Sequence, residues 1–170
     1  MGCYFTHYVR QVSSEWSSGL DYALSAGKIV VVQEVQQETV TAGLAGGYLD
    51  AVEIKTRIDS GQIEVRTGAP LSPAFEEVLD FYGLHHGDKA VVRLALQLAE
   101  VEATVTDDRL LWVVLRRCGH AALFLPDFIE KVVAEGAFDA ATGQQLLMAL
   151  RARLPVGFVE HSLRRLEGVL

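Results

Sequence analysis

Cysteine is scarce in this chain, and so are long apolar runs. The only two cysteines, Cys3 and Cys118, stand far apart and form no C-x-x-C pair. That excludes a disulfide framework and a cysteine-held zinc cluster, and both thiols are expected to be reduced and packed. The longest apolar stretches, such as Ile29 to Val32 and Ala121 to Leu125, fall far short of the roughly 20 residues needed to cross a bilayer. The start, Met1-Gly2-Cys3-Tyr4-Phe5-Thr6-His7, lacks the basic and apolar segments of a secretory signal. A cytoplasmic protein that does not engage membranes is the expectation. Net positive charge is also missing. At -7 the surface as a whole is unsuited to gripping nucleic acid, because phosphate binding needs clustered Lys and Arg. A local basic rim is still open to Lys89 and Arg93, to Arg109, Arg116 and Arg117, or to Arg151, Arg153, Arg164 and Arg165. For the last group, a solvated helix face is the plainer reading.

What the chain does have is apolar material, 50% of 170 residues, enough for the core of one domain. Short β-branched runs alternate with stretches of helical period, the pattern of an α/β fold with a mainly parallel sheet covered by helices. Strands are expected over Cys3 to Thr6, Ile29 to Val32, Gln62 to Arg66, Ala103 to Thr106 and Ala121 to Leu125. Helices are expected over Glu15 to Ser25, Gln33 to Thr41, Tyr48 to Ser60 and Ser72 to Tyr82, with Ser72 as N-cap and Pro73 in the first turn. Gly43, Gly46 and Gly47 interrupt between the second and third. A further helix opens at Gly87-Asp88 with Ala90, Val91, Leu94, Ala95 and Leu98 on one apolar face. Leu110 to Arg117, a helix from Pro126-Asp127, Asp139 to Arg153 and Val159 to Leu166 complete the set. The chain is read as one domain over residues 1–170, with 139–170 a C-terminal helical extension packed on it.

The chemistry concentrates in acids at helix starts. In a parallel sheet, the loops leaving the carboxyl ends of the strands form the ligand-binding edge. Asp107 and Asp108 follow the strand Ala103 to Thr106. Adjacent carboxylates repel unless a cation or base is near, so they are candidate ligands for a hard divalent metal. Taken alone, however, the pair reads first as a helix cap, and the same applies to Asp88. Glu38, on the helix after Ile29 to Val32, is a fourth candidate whose plain reading is a solvated surface glutamate. His85-His86, His120 and His161 carry little signal, and Trp16 and Trp112 read as core aromatics.

The stretch His86-Gly87-Asp88-Lys89-Ala90 through Leu98, followed by Ala103-Thr104-Val105-Thr106-Asp107-Asp108-Arg109, resembles the PIN-domain proteins. It is most similar to the subgroup with a Gly-Glu-Ala helix and a Thr-Asp-Asp-Arg turn. Gly27 to Thr39 resembles that family's strand and Val-x-x-Glu helix start, which aligns Glu38 with its second acidic position. The resemblance implies a three-layer α/β sandwich. It also implies a metal-dependent ribonuclease, of which many are toxins of toxin-antitoxin pairs. Asp88, Asp108 and Glu38 would then hold Mg2+ or Mn2+, with Asp107 a further ligand or a supporting acid, so that all four are catalytic. Thr106 would orient the carboxylates, and Thr106, Arg109 and Lys89 would meet substrate. The implied partners are RNA, an antitoxin protein and a second copy of the chain. One position departs from the family: its first-strand Asp falls near Thr6 or His7, and neither replaces it for Mg2+. Weak metal binding is therefore expected. Two other readings stand beside this one, a PIN-like module that binds RNA or protein without catalysis, and an unrelated α/β protein whose acids only cap helices.

Overall fold

The computed structural model describes residues 2–6 and 15–170, with side chains from Leu20 onward except Ala26. Five strands, β1 (Gly2–Thr6), β2 (Lys28–Val32), β3 (Ile63–Arg66), β4 (Ala103–Thr106) and β5 (Ala122–Phe124), form one sheet in the order β3-β2-β1-β4-β5. Every pairing is parallel. The chain winds outward from β1 to β2 and β3, then returns across β1 to β4 and β5. The reversal lies between β1 and β4, whose last residues, Thr6 and Thr106, are in register. In open α/β sheets a crevice forms at such a reversal, beyond the carboxyl ends of the strands.

The helices are α1 (Glu15–Ala26), α2 (Gln33–Gln36), α3 (Ala42–Ala45), α4 (Leu49–Asp59), α5 (Pro73–Phe81), α6 (His86–Gln97), α7 (Arg109–Arg117), α8 (Leu125–Ala134), α9 (Ala140–Leu150) and α10 (Val156–Leu166). The pattern that makes them is plain in α7. Leu111, Val114 and Leu115, spaced i, i+3 and i+4, are fully buried, while Arg116 and Arg117 meet the negative end of the helix dipole. Truncating Leu115 to Ala would remove about 2–5 kcal/mol of stability. β2 has the opposite pattern: Ile29, Val30, Val31 and Val32 are all buried, as expected of a parallel strand covered on both faces. One apolar core runs from Ala23 to Val159, so it takes in α9 and α10, which pack on α8 and on each other.

Three expectations need local correction. Gly43 does not interrupt the helix after β2, which continues through a π-helical turn (Gln37–Thr41) into α3. A Cβ on Gly43 would come within 2.7 Å of the Ala51 Cβ; the glycine is a packing contact that lets α3 and α4 close on each other. Ser72 occupies the N-cap of α5 with extended backbone, but its side chain accepts no capping hydrogen bond. Gly157, outside the last helix when that is expected to start at Val159, is likewise inside α10, and the helix break is made by Arg151 to Pro155. Among the described residues, no helix is long and apolar enough to cross a membrane.

Candidate functional site

Topology decides which helix starts share an edge. α2 begins directly after β2, and Asp107 and Asp108 directly follow β4. α6 ends shortly before β4 begins, so its far end, about 18 Å away for 12 residues at 1.5 Å each, returns to the carboxyl edge. Asp88, Glu38, Asp107 and Asp108 therefore all belong to that edge.

Asp88 is not a cap. The N-cap of α6 is His85, and Asp88 lies three residues further in, 2% exposed. A carboxylate is taken out of water only at considerable cost unless its surroundings compensate, so this burial is a deliberate feature of the edge. Gly87, beside it, packs toward the π-helical turn: a Cβ there would meet the Glu38 Oε1 at 3.5 Å and the Glu34 Cβ at 3.9 Å. The half-buried Glu38 thus lies against the first turn of α6. π-Helical turns inside helices recur at functional positions, and here the turn carries Glu38 itself. Glu34, one α-turn earlier, brings a further carboxylate to the same face. Its Oε1 is 3.5 Å from His86 Nε2, and its Oε2 is buried with no hydrogen-bond partner among the described residues.

The β4 side is built differently. Thr106, 1% exposed, accepts the Asp108 N–H on its Oγ1 at 3.0 Å, which pins the Asp107-Asp108 turn. Asp108 then caps α7, its Oδ1 accepting the Leu111 N–H at 2.8 Å. Asp107 turns to the C-terminal helices, where Arg153 Nη2 meets its Oδ2 at 2.9 Å. Arg109 lies exposed over the Phe158 ring of α10, 5.9 Å from the centroid. Lys89 forms an ion pair with Asp80 of α5, and Arg93 makes a forked contact with Glu76.

The candidates are therefore brought to one edge in two groups, Glu38 with Asp88 and Asp107 with Asp108. Among the described residues, no three His, Cys, Asp or Glu side chains are placed as a ready metal-binding group. The two positions where the resemblance expects a first acid fall partly outside the described residues. His7 is not among the described residues, and Thr6 ends β1 beside Thr106. The donors that are present are hard carboxylate oxygens, which suit Mg2+ or Mn2+ rather than softer metals.

Glu34 and Arg153 were not singled out by sequence reasoning. Glu34 is legible in retrospect, four residues before Glu38 on a helix. Arg153 had appeared only within a general basic group, and its 46-residue reach to Asp107 leaves no local signature. At the end of β5, Asp127 adds an acid to the same edge. Burial pushes its carboxyl up from the ordinary range and neighbouring Glu130 adds to the shift. Away from the edge, His120 Nε2 lies 2.9 Å from the buried Thr104 hydroxyl, and burial lowers its pKa. The Trp112 indole donates to the Ala122 carbonyl and packs near Phe124, as a core residue does. No family model matches the chain, and no curated protein is significantly similar to it.

Proposed function

We propose that this chain is a PIN-like, three-layer α/β protein whose carboxyl edge is that of a metal-dependent ribonuclease with a weakened site. The observation that carries this reading is Asp88. Its carboxylate is buried in the first turn of α6, three residues past the N-cap His85, in a turn whose Gly87 lies beside Glu38 and on the same edge as Asp108. Burial of four consecutive residues of β2 supports helices on both faces, hence three layers. Right-handed crossovers, the rule for parallel β-α-β units, would place helices on opposite faces on either side of the β1/β4 reversal.

In this reading Asp88, Asp108 through its second oxygen, and Glu38 would hold Mg2+ or Mn2+. The ion, when bound, would activate water and neutralise charge at the scissile phosphate. The chain's own contribution is positional. Thr106 fixes the turn that aims Asp108, Glu38 lies beside Gly87 in the first turn of α6, and the exposed Arg109 offers a cation to substrate phosphate. Cleavage of single-stranded RNA with Mn2+ tests it: Asp88→Asn should lower the rate at least about a hundredfold, since each tenfold corresponds to about 1.4 kcal/mol. An undiminished rate in Asp88→Asn would reject the reading.

A second reading is favoured by one specific observation. Thr6, not an acid, ends β1 in register with Thr106 at the β1/β4 reversal. A neutral hydroxyl there lowers the charge available to a hard cation, and a non-catalytic RNA- or protein-binding module would tolerate it. Absence of metal-dependent cleavage together with retained RNA binding would select this alternative.

A further inference from the structure

The ion pairs of the fold leave one helix out. Apart from Arg164 of α10, every lysine and arginine with a described side chain outside α7 meets a carboxylate. Arg109, Arg116 and Arg117 of α7 are exposed and meet none among the described residues, and α7 itself contains no Asp or Glu. Between these cations lie Leu110, 41% exposed, and the half-buried Val113. In a chain of net charge -7, this basic and apolar face runs against the overall balance. α5 has the complementary character. Leu79 is fully buried on its inner side, whereas Val78 is 44% and Phe81 83% exposed one turn apart on its outer side. Glu77 is exposed beside them and enters no ion pair among the described residues. Single exposed apolar residues are ordinary, but an aromatic ring and a valine on one helix face form a patch. Both helices pack against α6, which holds α5 through Lys89 and Arg93 and contacts α7 directly.

We infer that α5 and α7 are the two halves of one self-complementary surface whose occupant is a second copy of this chain, with α5 of each protomer lying antiparallel on α7 of the other. The spacing of the residues fits. Glu77 and Phe81 on α5, like Arg117 and Val113 on α7, are four residues apart, about 6 Å along either helix at 1.5 Å per residue. Antiparallel docking therefore sets Glu77 against the partner's Arg117 while the Phe81 ring covers the partner's Val113 and Leu110. It also opposes the two helix dipoles, which favours this direction over the parallel one. Arg109, at the carboxyl edge, stays outside the pairing. A two-fold axis beside α6 would make both contacts in one interface, and two-fold dimers are the commonest closed assembly. Aromatic and arginine side chains are the usual anchors of such surfaces. Two short helix pairs bury less than a large obligate interface, so association is expected in the micromolar range and to weaken with salt. The dimer would form whatever the acidic edge binds.

Sedimentation of the whole chain over a range from micromolar to millimolar, at low and high salt, tests this without an activity assay. Wild type should pass from monomer to dimer, and the dimer should weaken at high salt. Phe81→Ser and Arg117→Glu should each raise the dissociation constant at least about tenfold, the first by removing the apolar anchor and the second by setting like charges together. Both positions are exposed, so circular dichroism should show either variant folded as wild type is. Arg164→Glu, the same charge change on α10 away from this face, should stay within about twofold of wild type. Adding Glu77→Arg to Arg117→Glu exchanges the charges and should bring association back to within about threefold of wild type. A monomer at every concentration would overturn the inference, whatever anion α7 then bound. So would a dimer that Phe81→Ser and Arg117→Glu leave intact, or one that the exchanged pair does not restore. Assemblies that keep growing with concentration would overturn the two-fold arrangement, since a closed dimer stops at two copies.

Discussion

The two halves of the acidic edge handle the same problem, carboxylates crowded at helix starts, in opposite ways. On the β4 side the acids are answered on the spot. Asp108 takes a backbone N–H of its own helix and Asp107 takes Arg153. On the α6 side the nearby cations are drawn elsewhere. Lys89 and Arg93 extend to Asp80 and Glu76 of α5, Asp88 is buried in the first turn of α6, and Glu38 and Glu34 lie beside Gly87 of the same turn. The first arrangement stabilises the fold as it stands. The second keeps one carboxylate buried in a helix turn with two more on the element packed beside it.

The largest expected effect comes from restoring what would join the two halves. Thr6 ends β1 between β2 and β4 and is in register with Thr106, so Thr6→Asp would add an acid at the reversal itself. A properly held metal supplies several kcal/mol of charge stabilisation. Metal-dependent RNA cleavage should rise about a hundredfold or more, and the gain should vanish when Asp108→Asn is added. A folded Thr6→Asp protein with no gain would mean that the halves do not cooperate, leaving the β4 side as structure only.

A smaller effect separates the two duties of Asp108. Asparagine caps a helix about as well as aspartate, whereas alanine loses the cap at about 1 kcal/mol. Asp108→Asn should keep stability within a few tenths of a kcal/mol, and Asp108→Ala should lower it by about 1 kcal/mol in urea unfolding. Both should lose metal-dependent cleavage. Equal stability of the two variants would show that the Leu111 N–H contributes little, and cleavage retained by Asp108→Asn would leave capping as its whole role.

Much of this contrast was legible before any coordinates. Alternating β-branched and helical segments indicate parallel β-α units, and Ala103 to Thr106 reads as a strand because Thr104, Val105 and Thr106 are β-branched. Asp108 reads as a cap from its place before Leu110-Leu111, and it caps. Asp88 reads the same way and does not, because the helix starts at His86, ahead of the Gly-Asp pair, and carries the acid into its buried first turn. Gly43 reads as a breaker since glycine usually disfavours helix, yet tertiary packing on Ala51 overrides that preference. Arg153 to Asp107 is a contact between distant segments, and no periodicity encodes such a pairing.

The smallest effect concerns the anchor that keeps Arg93 away from the acids. Glu76 sits in a forked contact with Arg93, at 2.6 Å and 2.9 Å, and accepts the Leu71 N–H at 2.8 Å. The Arg93 guanidinium, helped by that backbone hydrogen bond, lowers the Glu76 carboxyl from 4.5 to about 2. A carboxyl lowered on folding binds fewer protons in the native state than in the unfolded state across the intervening range. Its stabilisation is therefore complete above pH about 4.5 and is lost as the pH falls through about 2. Urea unfolding of wild type and Glu76→Gln at a series of pH values should show a gap in stability that is constant near neutrality, narrows below pH about 4.5 and closes near pH about 2. Glutamine cannot hold the guanidinium as an ion pair, so Arg93 gains freedom to turn from α5 toward Glu34, whose charge it already senses. Mn2+ affinity should then fall modestly, because the freed cation is mobile and partly screened by water. A stability gap that persists unchanged down to pH 2 would show that the Glu76 carboxylate is not what fixes Arg93. An unaltered Mn2+ affinity would show that the α6 half of the edge does not depend on where its cations are held.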